Sequence, residues 1–156
     1  MELSVCIRRR RYPQRSACGK LSDMSDLQRW LEEFVRGHEG VAGTVHLRGP
    51  EQLELRAAVN IPDKVRAVTE RIPRGKGMAG LAWERDEPVM TCNLKTDDSG
   101  DVRPGAKAVD ANAAVALPIH HKGGGVRGVV GIAYVEERDL TPAELDALRA
   151  HAEALP

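Results

Sequence analysis

Several short stretches hold residues whose types and spacing could support chemistry. Gly75 to Gly80 reads GKGMAG, a literal G-x-G-x-x-G, and Asp97 follows at about the distance a dinucleotide fingerprint asks for. That fingerprint needs an apolar strand feeding the first glycine, so that the turn aims a helix N-terminus at the pyrophosphate. Here the preceding VTERIPR has helical character and ends at Pro73, so no strand is expected to feed the turn. The G-x-x-x-x-G-K-[ST] spacing of a phosphate loop is also missing. The glycines are therefore read as architectural: Gly75 and Gly77 for positive φ, Gly80 for close approach of the next helix to the sheet.

Asp97, Asp98, Ser99 and Asp101 form an oxygen-rich cluster in TDDSGD, ligand types that suit a hard cation. The EF-hand spacing and its closing Glu are absent, so no metal is expected. Cys92 closes the run PVMTC with acidic residues after it, which disfavours a thiolate. It is read as a small core filler. His120 and His121 are adjacent on a strand and point to opposite faces, which prevents joint chelation. Both are read as surface or edge residues, and no catalytic residue is expected.

Composition narrows the classes. The chain has 156 residues, 42% of them hydrophobic, which suits one domain with its own core. Residues 1–20 carry Arg8, Arg9, Arg10, Arg11, Arg15 and Lys20 against Glu2 alone, so with zero net charge the remainder is mildly acidic. An acidic body lacks the basic face that nucleic acid requires. LSVCI is too short for a secretory apolar core, and its arginines follow rather than precede it. No stretch approaches the length of a membrane span. Cys6, Cys18 and Cys92 give neither a disulfide framework nor a metal pair, which points to a reduced, cytoplasmic protein. Residues 1–23 are either a basic disordered tail or a stretch upstream of a natural start at Met24, and residues 24–156 form the domain.

The elements that must position these residues follow from periodicity. Leu27, Trp30, Leu31, Phe34 and Val35 make one apolar stripe of a helix, with Ser25 and Gln28 as a capping box and Gly37 or Gly40 as its end. VAGTVHLR and LELRAAV are two strands joined by a GPEQ turn. PDKVRAVTER fits one or two helical turns burying Val65 and Val68. PVMTCN is a short strand, and after a long polar stretch AAVALPIHH and VRGVVGIAYVEE form a last pair. Thr141, Pro142 and Glu144 start a closing helix with a capping box, stapled by Leu140 and Leu145. The expected fold class is α+β, an antiparallel sheet with flanking helices.

IPRGKGMAGLAWERDEPVMTCN, then a long loop, then AAVALPIHHKGGGVRGVVGIAYVEERDLTPAELDALRAHAEAL resembles a GAF domain from about Ser25 to the C-terminus. The resemblance implies a central antiparallel sheet with the terminal helices packed together on one face. On the other face it implies a small pocket covered by the loop after PVMTCN. It also implies a sensory or regulatory small-molecule-binding module in signal transduction, contacting its ligand through some of Trp83, Cys92, Asn93, Asp97, Asp98, Arg103 and Asn112. The alternative is a dimerising scaffold with a degenerate pocket and a protein partner in trans, since GAF domains commonly dimerise through their terminal helices.

Known variants of the family are each tested by a few residues. Residues 93–112 hold no cysteine for a covalent bilin, and the N-K-x-F-D-E sequence of the cyclic-nucleotide variant is absent. The variant that reduces free methionine sulfoxide needs thiols beside the glycine turn and in the covering loop. Ala79 and Lys107 stand near those positions. The expectation is that the chain is not an enzyme, and no cofactor is assigned.

Overall fold

The computed structural model describes residues 19–92 and 111–156, with the side chains of the first helix from Met24 onward. In chain order the elements are α1 (Gly19–Gly37), β1 (Ala42–Arg48), β2 (Gln52–Val59), α2 (Asp63–Thr69), β3 (Arg71–Pro73), α3 (Gly77–Arg85), β4 (Val89–Thr91), β5 (Ala113–His120), β6 (Val126–Tyr134) and α4 (Pro142–Glu153). The strands form one sheet in the order β3-β2-β1-β6-β5-β4, and each neighbouring pair is antiparallel. This is the α+β arrangement expected.

Alternation along the central strands gives the sheet two faces, because directly opposed residues of an antiparallel pair share a face. Val45, Val130 and Leu117 are opposed in series and fully buried, and so lie on one face. That face carries α1 and α4. Leu27, Leu31, Phe34 and Val35 of α1 meet Leu148 and Ala152 of α4 in the same cluster. Trp30 stacks on Phe34 with ring centroids 4.9 Å apart, and His151 of α4 presents an edge to Phe34 at 5.0 Å. The terminal helices are thus joined on one face, as expected.

Local signals held where they were strong. In α4 the Thr141 hydroxyl accepts from the Glu144 amide at 3.3 Å, and the Thr141 amide donates to the Glu144 carboxylate at 2.8 Å. Leu140 and Leu145 both pack on the main cluster. Gly75 and Gly77 have φ of 75° and 62°. A Cβ on Gly80 would lie 2.5 Å from the Pro73 carbonyl oxygen, so α3 passes β3 at a distance that excludes a side chain.

Other expectations are corrected. A strand does precede the glycine turn: β3 pairs with the edge of β2 over three residues. It is antiparallel and lies at the sheet edge, unlike the parallel central strand of a dinucleotide fold. The Ser25–Gln28 capping box does not form, because α1 is already helical from Gly19. Instead the Gln28 side-chain amide donates to the Ala58 carbonyl at 3.0 Å and its oxygen accepts from the Ala58 amide at 3.3 Å, tying α1 to β2. Val65 is buried, but Val68 is 53% exposed because the single face of a two-turn helix is already used.

Candidate functional site

The second face of the sheet has a different composition. Ala42, Ala133, Ala114 and Thr91 are opposed in one row; Ala58, Thr44, Gly131, Ala116 and Val89 in the next; Leu55, His46, Val129 and Pro118 in a third. Bulky side chains gather toward the ends of this face. Trp83 and Ala82 of α3 pack with Leu53, Ile72, Val126 and Val129 toward one end. Val65 of α2 packs with Ala42 and Ala111 toward the other, and Met78 touches both groups. Ala114 and Ala133 pack against the Val65 group, and Ala116 and Val89 are buried in the Trp83 group, while Thr44, Ala58 and Gly131 between them are partly exposed although they sit on central or near-central strands. Partly exposed small residues in the middle of a sheet, with apolar clusters at both ends, are the candidate floor of a site.

His46 stands beside this floor. It is 2% exposed, and its Nε2 lies 2.9 Å from the Thr69 carbonyl oxygen at the end of α2. Burial holds its pKa down at about 4, against a smaller upward pull from the Thr69 hydrogen bond. Its Nδ1 is buried with no partner among the described residues. Sequence reasoning missed this residue. Alternation in VAGTVHLR, with Val45 and Leu47 toward the helices, places Thr44, His46 and Arg48 on the opposite face, and that was the available signal.

Three of the expected site residues are among the described ones. Trp83 lines the wall at one end, 7% exposed, with the Arg48 and Arg74 guanidinium carbons 5.4 and 5.9 Å from its ring centroid. Cys92 follows β4 near the other end and is exposed, which corrects the core-filler reading: β4 stops at Thr91, so the next residue is no longer held in the sheet. Asn112 sits just before β5, where its side-chain amide donates to the Val135 carbonyl at 2.6 Å. That amide fastens β5 to the end of β6. Trp83 thus stands on α3, Cys92 directly after β4 and Asn112 directly before β5. Asn93, Asp97, Asp98 and Arg103 lie outside the described residues, as does the rest of the TDDSGD cluster. Among the described residues no group of three His, Cys, Asp or Glu side chains is arranged to hold a metal ion.

His120 departs from its reading as a plain edge residue. Its Nδ1 lies 2.5 Å from Glu153 of α4 and its Nε2 2.5 Å from Asp86 beyond α3, so it joins the layers on both faces of the sheet. The hydrogen bond to Glu153, then that to Asp86, raises its pKa above 6.5. A raised folded-state pKa contributes stability that is fully present below pH 6.5 and lost as the pH rises through the folded value. The expected size is at most about 1 kcal/mol, because the group is partly exposed. Thermal melts between pH 6 and 8 should fall for the wild type and stay flatter for His120→Gln; equal slopes would deny the bridge any role.

An open groove of about 670 Å³ also runs between α1, β2 and α2, with Gln28, Leu55, Arg66 and Glu70 in its lining. Among the described residues, no unpaired buried side-chain nitrogen or oxygen belongs to its lining. No helix among the described residues is long and apolar enough to cross a membrane.

Comparison with protein families matches the GAF domain over residues 26–155. Comparison with curated proteins finds no match. Among solved structures, a type II free methionine-R-sulfoxide reductase from Thermoplasma acidophilum is similar at 16% identity and TM-score 0.68, over 86% of this chain and 89% of that one. A free methionine-R-sulfoxide reductase from Neisseria meningitidis, solved with its substrate, is similar at 17% identity and TM-score 0.65, over 85% and 76%. A GAF domain/HD domain protein from Geobacter sulfurreducens is similar at 14% identity and TM-score 0.64, over 87% and 93%. At these identities the likeness is one of fold. It overturns the expectation that the chain is not an enzyme: enzymes use this fold, and missing thiols near Ala79 and Lys107 speak to one thiol-dependent reaction rather than to catalysis in general. With a family match over most of its length and the antiparallel sheet between terminal helices and α3, the chain belongs to the GAF domain family, which supplies sensory and regulatory modules to signalling proteins.

Proposed function

We propose that this GAF domain is a sensor that binds a small molecule on the second face of its sheet. The observation that carries the reading is the small-residue floor around Thr44, Ala58 and Gly131, partly exposed between the Trp83 and Val65 clusters. A sheet face built only as core would carry large side chains there, as the helix-covered face does with Val45, Val130 and Ile132. Trp83 is the proposed apolar wall. Ligand binding would signal by shifting the population of conformations that a partner reads.

The scaffold reading makes a different demand on the surface. The outer face of α1 presents Arg29, Glu32, Glu33 and Arg36, and that of α4 presents Asp146 and Arg149, all exposed. Charged outer faces favour the ligand reading over association through a large apolar helix face.

Native mass spectrometry of freshly purified protein, with the denatured mass alongside, tests the choice. The sensor reading predicts an added mass of one small molecule per chain that disappears on denaturation. A clean mass with no adduct, in a dimeric species, would turn the account toward a scaffold acting through a protein partner.

A further inference from the structure

The His46 ring shows which chemistry the floor would accept. Its Nε2 faces the Thr69 carbonyl at 2.9 Å, and a carbonyl can only accept, so Nε2 carries the proton. In a neutral ring the other nitrogen is then a lone-pair acceptor. That acceptor, Nδ1, is buried with nothing to donate to it among the described residues. Native interiors seldom leave such a group unpaired, and each exception calls for an explanation.

The surroundings supply one. By register His46 lies one row from Thr44 and Gly131 on the same face. The Thr44 hydroxyl leans over Gly131, with Oγ1 2.8 Å from where a Cβ would stand. The ring that carries the unpaired acceptor is therefore the neighbour of two small floor residues, and apart from the Thr44 hydroxyl nothing among the described residues stands within 4 Å of where a Cβ on Gly131 would be. The floor rows carry no ionisable side chain apart from His46 itself. Arg48 and Arg74, the nearby cations, are held against the Trp83 ring.

Building on the small-molecule reading of this face, we propose that His46 Nδ1 is the specificity-determining acceptor of the site. Its ligand is a molecule with a compact apolar body that lies over Thr44 and Gly131 and presents one N–H or O–H group to the imidazole. Burial keeps the ring neutral at physiological pH, with its pKa at about 4, so the lone pair stays available. The Thr44 hydroxyl, able to donate or accept, is positioned for a second polar contact.

Phenol and anisole are suitable probes, being alike in shape and differing in the O–H group. Their binding is followed through the backbone amides of Ala114, Ala116 and Gly131, and through the imidazole ¹⁵N resonances of His46. The ligand-free protein should show the Nε2–H tautomer with Nδ1 unbonded. Phenol should move the Nδ1 resonance toward its hydrogen-bonded position and bind about tenfold tighter than anisole. His46→Phe should bind the two alike. If that variant does not fold, the matched pair on the wild-type protein decides alone. Equal affinities with Nδ1 unmoved would overturn the donor requirement while leaving the pocket in place. Floor amides that respond to neither probe would overturn the small-molecule reading itself and this inference with it.

Discussion

Phe34→Ala should cost about 3–5 kcal/mol of folding stability, the range for losing a buried phenylalanine. Phe34 is completely buried, stacks on Trp30 at 4.9 Å and receives the edge of His151 from α4 at 5.0 Å. Truncation removes the ring on which the two terminal helices meet and leaves a cavity that Leu31 and Val35, fixed in the same cluster, cannot fill. Domains of this size are stable by only about 5–15 kcal/mol, so the loss is a large fraction of the whole. Urea denaturation should show a lower midpoint with an unchanged slope. A loss under about 1 kcal/mol would mean that the helix pair is held chiefly by something else.

The second large effect is acid destabilisation through His46. The folded pKa is about 4, below the ordinary 6.5, so between these values the unfolded chain binds a proton that the folded one refuses. Stability therefore rises with pH across this window. It is fully present above pH 6.5 and falls by about 3 kcal/mol on descending to pH 4. His120 acts in the opposite sense above pH 6.5, where its raised pKa makes stability fall as the proton leaves. Denaturation midpoints measured from pH 7 to pH 4 should decline steeply for the wild type. His46→Phe keeps a planar ring in the same space and has nothing to titrate, so its profile should be flatter over that window. Parallel profiles would place the acid sensitivity in the carboxylates.

Much of the fold was legible because its signals are local. The α1 stripe, the Thr141–Glu144 box and the alternation in β1, β5 and β6 each lie within a dozen residues, and each formed as read. What was missed is set by distant partners. β3 is three residues of helical character, made a strand only by its pairing with Gln52–Glu54. His120 becomes a bridge only because the fold brings up Asp86 and Glu153, 34 and 33 positions away. The candidate site was hardest to read, since its floor consists of alanine, glycine and threonine, residue types that attract no functional reading one at a time. Only the register of β1, β6 and β5 sets Thr44, Gly131 and Ala116 side by side. His46 was passed over because its unpaired nitrogen depends on Thr69, 23 residues away.

Ala114→Leu tests most directly whether that floor is open. Ala114 is partly exposed on β5, opposite Ala133, where the floor meets the Val65 group. A leucine there projects into free space if the concavity exists, and the added buried carbons should hold or raise stability by about 1–2 kcal/mol while blocking ligand entry. In a filled core the same change would overpack and cost about 1–3 kcal/mol. The measurement is the urea midpoint of Ala114→Leu against the wild type. An unchanged or higher midpoint is the predicted result, and a midpoint lowered by overpacking would contradict the pocket.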